Sequence, residues 1–522
     1  MIKPLLSVSL ITALLVSGTA SAQVSFGGQP IGLGALKSEL PDAPVKVMPA
    51  VDAVTLMVED AERMASGNKM LRFGQNHATD FTMDNSGTWT TLSNGDRVWR
   101  LGIECPGALS INFEFSNYIV PDGGRVFVYN TMGHSLGAFT AASHPGHTVL
   151  GVDLLAGDRI TIEYVEPAGK IGQGQLAIGQ ITHGYRDVFG LTKGFGDSGT
   201  CNNNAVCPIN TGYLDQIRSV AMIVSGGSGF CTGQLLNSCA EDGTPYFLTA
   251  NHCLQGGNPT TWVYRFNWQS PVCTPNTNGP TNQSVSGSTL LYNSAGSDVA
   301  FLELNTTPPS NYNVFYSGWD KSTTPATEVR CVHHPSGDIK KFSIEEDPVI
   351  SGTFSGAQCW HVQAWDDGTT EPGSSGAGLW NQDGRLVGQL YGGQASCSFN
   401  FNDYFGKFST SYPGLQQWLG NCGNTVDGVG GNVSVSEALG SAGMEVYPNP
   451  SAGVFTLVFP RQSQGDVRLR VSDALGRLVS DRTMTTVENM ATLDLSTASE
   501  GVYHLEVTAG ATKAVQRIVV QR

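Results

Sequence analysis

The sequence predicts an all-β chain of several separate domains, and three observations carry that prediction. Only 14% of the 522 residues are charged, while glycine, serine, threonine and asparagine are abundant, a composition typical of turn-rich extracellular domains. Short segments alternate apolar and polar residues, which is the period of a half-buried strand. Ten of the eleven cysteines lie between Cys201 and Cys422, which marks that stretch as a domain of its own.

A secretory signal is predicted at the amino terminus. Lys3 supplies the positive charge, Leu5 to Val16 form a short apolar run, and Ala22 ends a cleavage site of small residues. The run is too short to cross a bilayer, and no other stretch is long enough. A net charge of −15 without a basic tract argues against nucleic acid as a partner. We therefore expect an exported protein without a membrane span, whose cysteines form disulfides.

Residues 23–193 are predicted to form an amino-terminal β domain without a catalytic cluster. Its strands are expected at Arg97 to Ile103, Ile111 to Phe115, Arg125 to Tyr129 and Arg159 to Tyr164. Its histidines are scattered: His77, His134, His144, His147 and His183. For His144 and His147 we expect solvated loop positions rather than metal ligation.

The rest of the chain divides into a cysteine-rich domain, a linker and a small β-sandwich. Residues 194–423 are enough for two packed six-stranded barrels. Residues 424–443 are rich in glycine, valine and serine and are predicted to be a linker. Residues 444–522 are predicted to form the sandwich. Its expected strands are Gly453 to Phe459, Val467 to Val471, Leu478 to Arg482, Ala491 to Leu495, Gly501 to Ala509 and Val515 to Val520.

Three segments of the cysteine-rich domain hold residue types that nucleophilic catalysis requires. A serine hydroxyl is a poor nucleophile at neutral pH, so it needs a base, an acid that orients the base, and donors for the oxyanion. His252 follows an apolar strand, and the adjacent Cys253 can tether its turn. Asp298 begins an apolar strand, and Ser375 lies in a glycine-flanked turn whose amides can converge on one oxygen.

These segments resemble trypsin-like serine proteases. Thr-Ala-Asn-His-Cys at 249–253, Ser-Asp-Val-Ala-Phe-Leu at 297–302 and Gly-Ser-Ser-Gly at 373–376 are similar to that family's three motifs, in the family's order. Over residues 194–423 the chain resembles the bacterial lysyl endopeptidase group most. The further shared motifs are Gly-Thr-Cys at 199–201, Val-Cys-Pro at 206–208, Cys-Thr-Gly-Gln-Leu-Leu-Asn at 231–237, His-His-Pro at 333–335 and Gly-Gln-Leu at 388–390.

The resemblance implies a secreted serine endopeptidase with a catalytic triad. Ser375 would be the nucleophile, His252 the general base and then the general acid, and Asp298 the orienting carboxylate. The amides of Gly373 and Ser375 would form the oxyanion hole. Most trypsin-like enzymes have aspartate before the nucleophile, where it pairs with the freed amino terminus. Ser374 stands there in this chain, so other contacts must order the oxyanion loop.

Specificity for lysine requires a buried carboxylate in the primary pocket. Thr369, six residues before the nucleophile, occupies the position of trypsin's acid and cannot serve. The lysyl endopeptidase group has its acid downstream, which implies Asp403 here, with a surface-loop aspartate as the alternative. Tyr391 and Gly392 lie where the resemblance expects the strand that binds extended substrates, although the group usually has histidine in place of Tyr391. We expect cleavage after Lys, with Arg much slower.

The resemblance also implies cross-links. It pairs Cys201 with Cys397, Cys207 with Cys273, and Cys231 with Cys253. Sequence alone does not decide the partners of Cys239, Cys331, Cys359 and Cys422. The favoured pairs are Cys331–Cys359 and Cys239–Cys422.

Processing and export follow from both ends of the chain. Lys193 precedes the cysteine-rich domain, so an enzyme that cuts after Lys could release residues 23–193 as a propeptide. The tail, with Val-Tyr-Pro-Asn-Pro at 446–450, resembles the C-terminal sorting domain of type IX secretion cargo of Bacteroidetes, which implies export by that machinery. An accessory β-sandwich is the alternative. We expect a monomer that acts on polypeptides and needs neither metal nor cofactor; the competing hypotheses are a protease of other specificity and an inactive protease-fold binding protein.

Overall fold

The computed structural model describes residues 23–65, 70–188, 198–430, 445–447, 451, 453–458, 466–473, 477–485, 490–509 and 512–521. The chain forms two compact units, Met1–Gly431 and Asn432–Arg522. The expected cleavage positions Ala22 and Lys193 lie outside the described residues, as do residues 431–443 of the predicted linker. In the part of the chain that is described, no helix is both long and apolar enough to span a bilayer.

The amino-terminal region is a β-sandwich with one helix, α1 (Ala53–Ala65). Its strands are β1 (Val45–Val47), β2 (Leu71–Arg72), β3 (Gly74–Thr82), β4 (Thr88–Thr91), β5 (Arg97–Glu104), β6 (Ser110–Ile119), β7 (Arg125–Asn130), β8 (Ser135–Phe139), β9 (Leu150–Ala156), β10 (Arg159–Glu166) and β11 (Gln175–Gly184). One sheet has the order β1-β5-β10-β7-β8 with β4 beside β5, and the other has the order β3-β11-β6-β9. The four strands predicted from alternation are confirmed as β5, β6, β7 and β10.

The core of this region shows why alternation was informative. Trp99, Leu101 and Ile103 are alternate residues of β5, and all three face the same apolar core. Phe113 and Phe115 of β6 enter that core from the other sheet. Because side chains of a strand alternate between its two faces, a period of two in the sequence marks the buried face of each sheet.

The next region contains two large sheets with helices α2 (Leu214–Ser219) and α3 (Phe408–Leu419). Its strands are β12 (Asn203–Asn204), β13 (Val220–Ser225), β14 (Gly229–Leu236), β15 (Tyr246–Ala250), β16 (Val263–Phe266), β17 (Ser284–Ser286), β18 (Ser288–Ser294), β19 (Val299–Leu304), β20 (Phe315–Tyr316), β21 (Trp319–Asp320), β22 (Val329–His333), β23 (Lys341–Glu345), β24 (Ile350–Phe354), β25 (Ala357–Ala364), β26 (Gly378–Asn381), β27 (Leu386–Gly393), β28 (Phe401–Lys407), β29 (Thr425–Val426) and β30 (Val429–Gly430).

These sheets form the two halves of a two-barrel fold. The first has the order β17-β16-β13-β14-β15-β19-β18, and β2 of the amino-terminal region adds to it by pairing with β14. The second has the order β12-β23-β22-β26-β27-β28-β25-β24, joined by β21 and β29. Each sheet is larger than the six strands expected, because short strands from neighbouring parts of the chain extend it.

A shared core holds the two halves together. Leu248 and Phe301 of the first half pack with Trp319 and Trp380 of the second, and Leu415 of α3 covers the same cluster. All five side chains are fully buried. Burial of large apolar side chains stabilises by about 1.5–3 kcal/mol each, so this cluster fixes how the two halves meet. The candidate site lies where the two halves meet.

Four disulfides stabilise this region. They are Cys201–Cys397, Cys207–Cys273, Cys231–Cys253 and Cys239–Cys422. The expected Cys331–Cys359 bridge is wrong, since both thiols are free and buried, as is Cys105. Cys331 faces the core that contains Trp360, and Cys359 precedes Trp360 on its strand. Neighbouring residues of a strand point to opposite faces, so Cys359 points away from Cys331.

The amino-terminal region packs directly on the first half of the two-barrel region. Leu71, Phe73 and Leu154 share one buried cluster with Phe230 and Trp268. The backbone amide of Phe73 donates to the carbonyl of Ser228 at 2.8 Å. Within the first compact unit, apolar packing and backbone pairing therefore join the two regions.

His144 belongs to this contact and is not the solvated loop residue that was expected. It is buried, and its Nε2 accepts from Asn305 Nδ2 at 2.8 Å while its Nδ1–H donates to the Val149 carbonyl. Burial lowers the pKa of His144 to about 4. His147 stacks on it with ring centroids 4.6 Å apart. A neutral imidazole between two regions is a structural part of their interface.

The second compact unit is a sandwich of two sheets. Its strands are β31 (Glu445–Tyr447), β32 (Val454–Val458), β33 (Asp466–Asp473), β34 (Leu478–Thr485), β35 (Met490–Asp494), β36 (Gly501–Ala509) and β37 (Thr512–Val520). The sheet orders are β31-β32-β35 and β34-β33-β36-β37. Phe455, Leu469 and Leu505 are central to its apolar core. All six predicted strands are confirmed, and β31 was not foreseen.

Candidate active site

His252 is held in a short 3-10 turn, Asn251–Gly256, directly after strand β15. The disulfide from Cys253 to Cys231 on β14 anchors this turn to the first sheet. The amide of Asn251 donates to the carbonyl of Asp298 at 2.8 Å, and the amide of His252 donates to Asp298 Oδ1 at 3.0 Å. The turn is therefore fixed to the segment that contains the candidate carboxylate.

Asp298 occupies a strained backbone position before β19. Its φ is +51°, in the left-handed region that residues other than glycine seldom adopt. Gln389 Nε2 on β27 supports this conformation by donating to the carbonyls of Ser297 and Asp298 at 2.7 and 3.2 Å. Backbone strain of this kind persists where neighbouring contacts over-determine it. Here it aims the carboxylate at His252.

Ser375 lies in a tight turn before β26, and two glycines make that turn feasible. Gly373 has φ +100°, and a Cβ there would lie 2.7 Å from the His334 carbonyl. Gly376 has φ +82°, and a Cβ there would lie 2.2 Å from Thr249 Oγ1. Only glycine fits either position without displacing the backbone.

The three side chains form one hydrogen-bonded series. His252 Nδ1 lies 2.8 Å from Asp298 Oδ2, and His252 Nε2 lies 2.7 Å from Ser375 Oγ. Because the carboxylate can only accept, Nδ1–H donates to it, which leaves Nε2 to accept the proton of the serine hydroxyl. Burial raises the pKa of the Asp298 carboxyl, while the hydrogen bonds from His252 lower it. The series can activate a serine for attack on a carbonyl carbon.

Two backbone amides lie on the turn that holds Ser375. Among the described residues, neither the Gly373 amide nor the Ser375 amide donates a hydrogen bond within the protein. The carbonyls on the other side of the turn are engaged: Thr232 Oγ1 donates to the Gly373 carbonyl at 2.9 Å and the Thr232 amide donates to the Ser375 carbonyl at 2.8 Å. This arrangement presents donors, rather than acceptors, to a bound oxygen.

Asp403 is fully buried on strand β28, so the alternative of a surface-loop aspartate is wrong. Its Oδ2 accepts from Trp365 Nε1 at 2.9 Å and from Thr370 Oγ1 at 2.6 Å. Gly393 on the neighbouring strand lies so close that a Cβ would be 2.3 Å from Asp403 Oδ1. Thr369, which has no carboxylate, is also buried.

An aromatic stack borders the candidate triad. Tyr391 on β27 lies parallel to His252, with ring centroids 5.7 Å apart and an interplanar angle of 22°. Phe354 meets Tyr391 edge-on at 5.1 Å. Burial raises the pKa of the Tyr391 hydroxyl. Gly392, the next residue of the strand, pairs with Tyr404 of β28. The edge of β27 that faces β28 and Asp403 is therefore already paired within the sheet.

Sequence reasoning missed several residues that shape this site. Trp365 and Thr370 bind the Asp403 carboxylate, and Phe354 supports Tyr391. Thr370 adjoins the glycine turn, so its position along the chain was a usable signal. Phe354 ends strand β24 and Trp365 follows strand β25; neither has a motif around it, and only folding brings them here.

Comparisons with known proteins agree with this architecture. The profile described as "Lysyl endopeptidase, C-terminal domain" matches residues 195–406, and the "Secretion system C-terminal sorting domain" matches residues 445–521. A lysyl endopeptidase of Pseudomonas aeruginosa is 31% identical over 372 residues, which cover 63% of this chain and 77% of that protein.

Solved structures of proteases are also similar to the chain. A Glu endopeptidase structure shares 17% identity, with a TM-score of 0.30, over 44% of this chain and 99% of that chain. The HtrA-type protease AlgW shares 13% identity, with a TM-score of 0.29, over 60% of this chain and 96% of that chain.

The sorting domain marks the chain as type IX secretion cargo, hence as a secreted or cell-surface protein. The matched relative, together with the family profile and the serine-centred cleft, identifies the enzyme class as serine endopeptidase. The chain belongs to the lysyl endopeptidase family.

Proposed function

We propose that this protein hydrolyses peptide bonds after lysine through an acyl-enzyme, with His252, Asp298 and Ser375 as its catalytic triad. The observation that carries the proposal is the unbroken hydrogen-bonded series from the Asp298 carboxylate through His252 to Ser375 Oγ. The side chain of Asp298 is only 3% exposed, so its charge acts on the imidazole with little screening by water.

The reaction proceeds in two halves. Ser375 Oγ attacks the scissile carbonyl carbon as His252 Nε2 takes the hydroxyl proton, and the amides of Gly373 and Ser375 bind the oxyanion. His252 then gives that proton to the leaving amine, the C–N bond breaks, and an ester to Ser375 remains. Water, deprotonated by His252, attacks the ester, and the proton returns to Ser375 as the acid product leaves.

Lysine preference follows from the buried carboxylate of Asp403. Trp365 and Thr370 supply neutral donors to Oδ2, which orient the carboxylate without neutralising it. A lysine ammonium desolvated beside this group forms a charge pair that an uncharged side chain cannot form. Discrimination of about 2–5 kcal/mol is expected from such a pair.

The triad is tested by Ser375→Ala, with the exposed Ser398→Ala as matched control. Removing one member of a triad typically lowers kcat by factors on the order of 10⁴ to 10⁶. We expect Ser375→Ala to lose peptide hydrolysis and reaction with a fluorophosphonate probe while folding normally, and Ser398→Ala to retain both. Full activity in Ser375→Ala would refute the assignment, and an unreactive wild-type enzyme would favour the inactive binding protein.

Specificity is tested by digesting a denatured protein mixture and mapping the cut sites by mass spectrometry. The wild-type enzyme and an Asp347→Asn control, which changes an exposed carboxylate, should cut after lysine. Asp403→Asn should lower kcat/KM for lysine substrates by about 30-fold or more, since 2 kcal/mol corresponds to that ratio. Cleavage mainly after apolar residues, unchanged in Asp403→Asn, would remove the assignment.

The proposal extends to domain roles and processing. Residues 23–193 would be a propeptide, 194–423 the protease domain, and 424–443 a linker to the sorting domain. Cleavage after Lys193 by the enzyme itself would give a mature amino terminus at Gly194. A Ser375→Ala chain produced without any other protease should remain uncut there; normal processing of that chain would count against self-cleavage.

A further inference from the structure

The loop Glu371–Ser375 holds the proposed oxyanion amides, and it is anchored by the neutral Ser374. Ser374 Oγ lies 2.7 Å from His333 Nδ1, and His333 Nε2 lies 3.1 Å from Ser343 Oγ. Ser343 Oγ donates to the Thr369 carbonyl at 2.6 Å. This series is buried, and it orients Ser374.

Glu371 connects this loop to Gly199 and Asn202, near the start of the proposed protease domain. Its Oε1 accepts from the amide of Gly199 and from Asn202 Nδ2, both at 3.0 Å. Its Oε2 accepts from Ser336 Oγ at 2.7 Å. Glu371 is only 9% exposed, so these are charge-assisted hydrogen bonds in a largely desolvated place, where they are stronger than bonds between neutral groups.

The contacts around the Glu371 carboxylate couple its position to the backbone of the turn that holds Ser375. Pro372, the next residue, has a fixed φ, and its carbonyl accepts from the Ser336 amide at 2.6 Å. Ser336 therefore holds both the side chain of Glu371 and the backbone beside it. Only Pro372 separates Glu371 from Gly373 along the chain, so a shift of the Glu371 carboxylate moves the Gly373 amide.

We propose that Glu371 is the positioning residue of the oxyanion hole: by binding Gly199 and Asn202 on one side and Ser336 on the other, it holds the Gly373 amide in its working direction. This inference rests on the proposed function, because it assigns that amide to the oxyanion. Among the described residues, the partners of the Glu371 carboxylate are Gly199, Asn202 and Ser336 rather than the triad, so its effect reaches the reaction through the loop.

The test compares Glu371→Ala and Glu371→Gln as full-length chains treated identically with immobilised wild-type enzyme. Glu371→Ala should lower kcat on a lysine amide substrate about 10- to 100-fold with KM changed less than about threefold, since loss of a whole oxyanion donor costs about 10²–10³. The inhibition constant of a peptide aldehyde ending in lysine should rise by a similar factor, because its hemiacetal oxygen needs the same amides. Glu371→Gln should stay within about fivefold, because its amide oxygen can accept from Gly199 and its NH₂ can donate to Ser336.

Asn202→Ala provides a second route to the same answer. It should lower kcat about two- to fivefold alone and have no added effect on Glu371→Ala, the non-additivity expected of residues in one network. The control is Glu346→Ala, which removes an exposed carboxylate and should change nothing.

The outcomes are distinct from failure of the proposed function, which Ser375→Ala alone decides. An unchanged kcat and aldehyde affinity in Glu371→Ala would overturn the positioning role. A raised KM with unchanged kcat would also overturn it, since Glu371 would then serve the substrate pocket. If Glu371→Ala does not fold, Asn202→Ala decides, and wild-type kcat in that variant rejects the proposal.

Discussion

Asp153→Asn should strongly destabilise the contact between the amino-terminal region and the first barrel half. Asp153 Oδ1 accepts from Arg265 Nη2 at 2.7 Å, and the two side chains are 0% and 1% exposed. Asp153 Oδ2 also accepts from Ser284 Oγ at 3.0 Å. The guanidinium of Arg265 lies over the Trp268 ring, 5.2 Å from its centroid. The substitution keeps the shape of the side chain but removes its negative charge.

The expected loss in the free energy of unfolding follows from the burial of the ion pair rather than from its hydrogen bond. Removing one partner of a buried ion pair leaves the other charge in a place where water cannot solvate it, which typically costs about 3–5 kcal/mol. Surface pairs are worth only about 0–1 kcal/mol. The Arg385–Asp383 pair, whose aspartate side chain is 53% exposed, provides that comparison in the same chain.

The assay is urea denaturation of the full chain in a Ser375→Ala background, which prevents self-digestion, followed by tryptophan fluorescence. We expect Asp153→Asn to lower the free energy of unfolding by about 3–5 kcal/mol and Asp383→Asn by less than about 1 kcal/mol, with unchanged denaturant slopes. A loss below about 1 kcal/mol for Asp153→Asn would refute the reasoning, because Arg265 would then be compensated by solvent or by other groups.

Three further predictions concern the protease domain. Replacing Cys231 and Cys253 together by serine should lower the free energy of unfolding by roughly 3 kcal/mol in urea denaturation. It should also lower kcat, because that disulfide anchors the His252 turn. An unchanged kcat would show that the disulfide serves stability alone. Burial lowers the pKa of Lys340 to about 7, so the unfolded chain binds more protons above that pH and stability should rise from about pH 7 toward 10. Lys340→Met should reduce this rise in urea midpoints measured across that range, and the rest should come from Lys341, whose pKa burial also lowers. Tyr391→His puts a second imidazole beside His252. Repulsion in the doubly protonated pair should move the acid limb of the kcat/KM profile to lower pH. Tyr391→Phe should leave that acid limb unchanged.

Much of the fold was legible from the sequence because its signals are local. Strand β5 shows this well: Trp99, Leu101 and Ile103 face one core because a strand alternates its sides, so the sequence period alone located them. The turn at Gly373 needs a positive φ, which glycine provides, and this left a visible mark beside Ser375.

Other features had no local signal. Cys331 and Cys359 looked like partners because they were left over, but the faces of their strands keep them apart. His144 was expected in a solvated loop, yet packing against Asn305 of another region buries it. Glu371 lies two residues before the Gly-Ser-Ser-Gly motif, but its link to Gly199 spans 172 residues of chain and leaves no pattern.

The sequence by itself indicated the strands with clear alternation, the family and the candidate reactive side chains, since turn chemistry, strand period and short motifs are properties of neighbouring residues. Tertiary structure alone decided which distant groups meet: His252 reaches Asp298 across 46 residues and Ser375 across 123. It also decided which charges are buried, as with Asp403, Arg265 and Lys340. The physical reason is that burial and hydrogen-bond geometry depend on how sheets pack in three dimensions, and chain proximity carries no record of that packing.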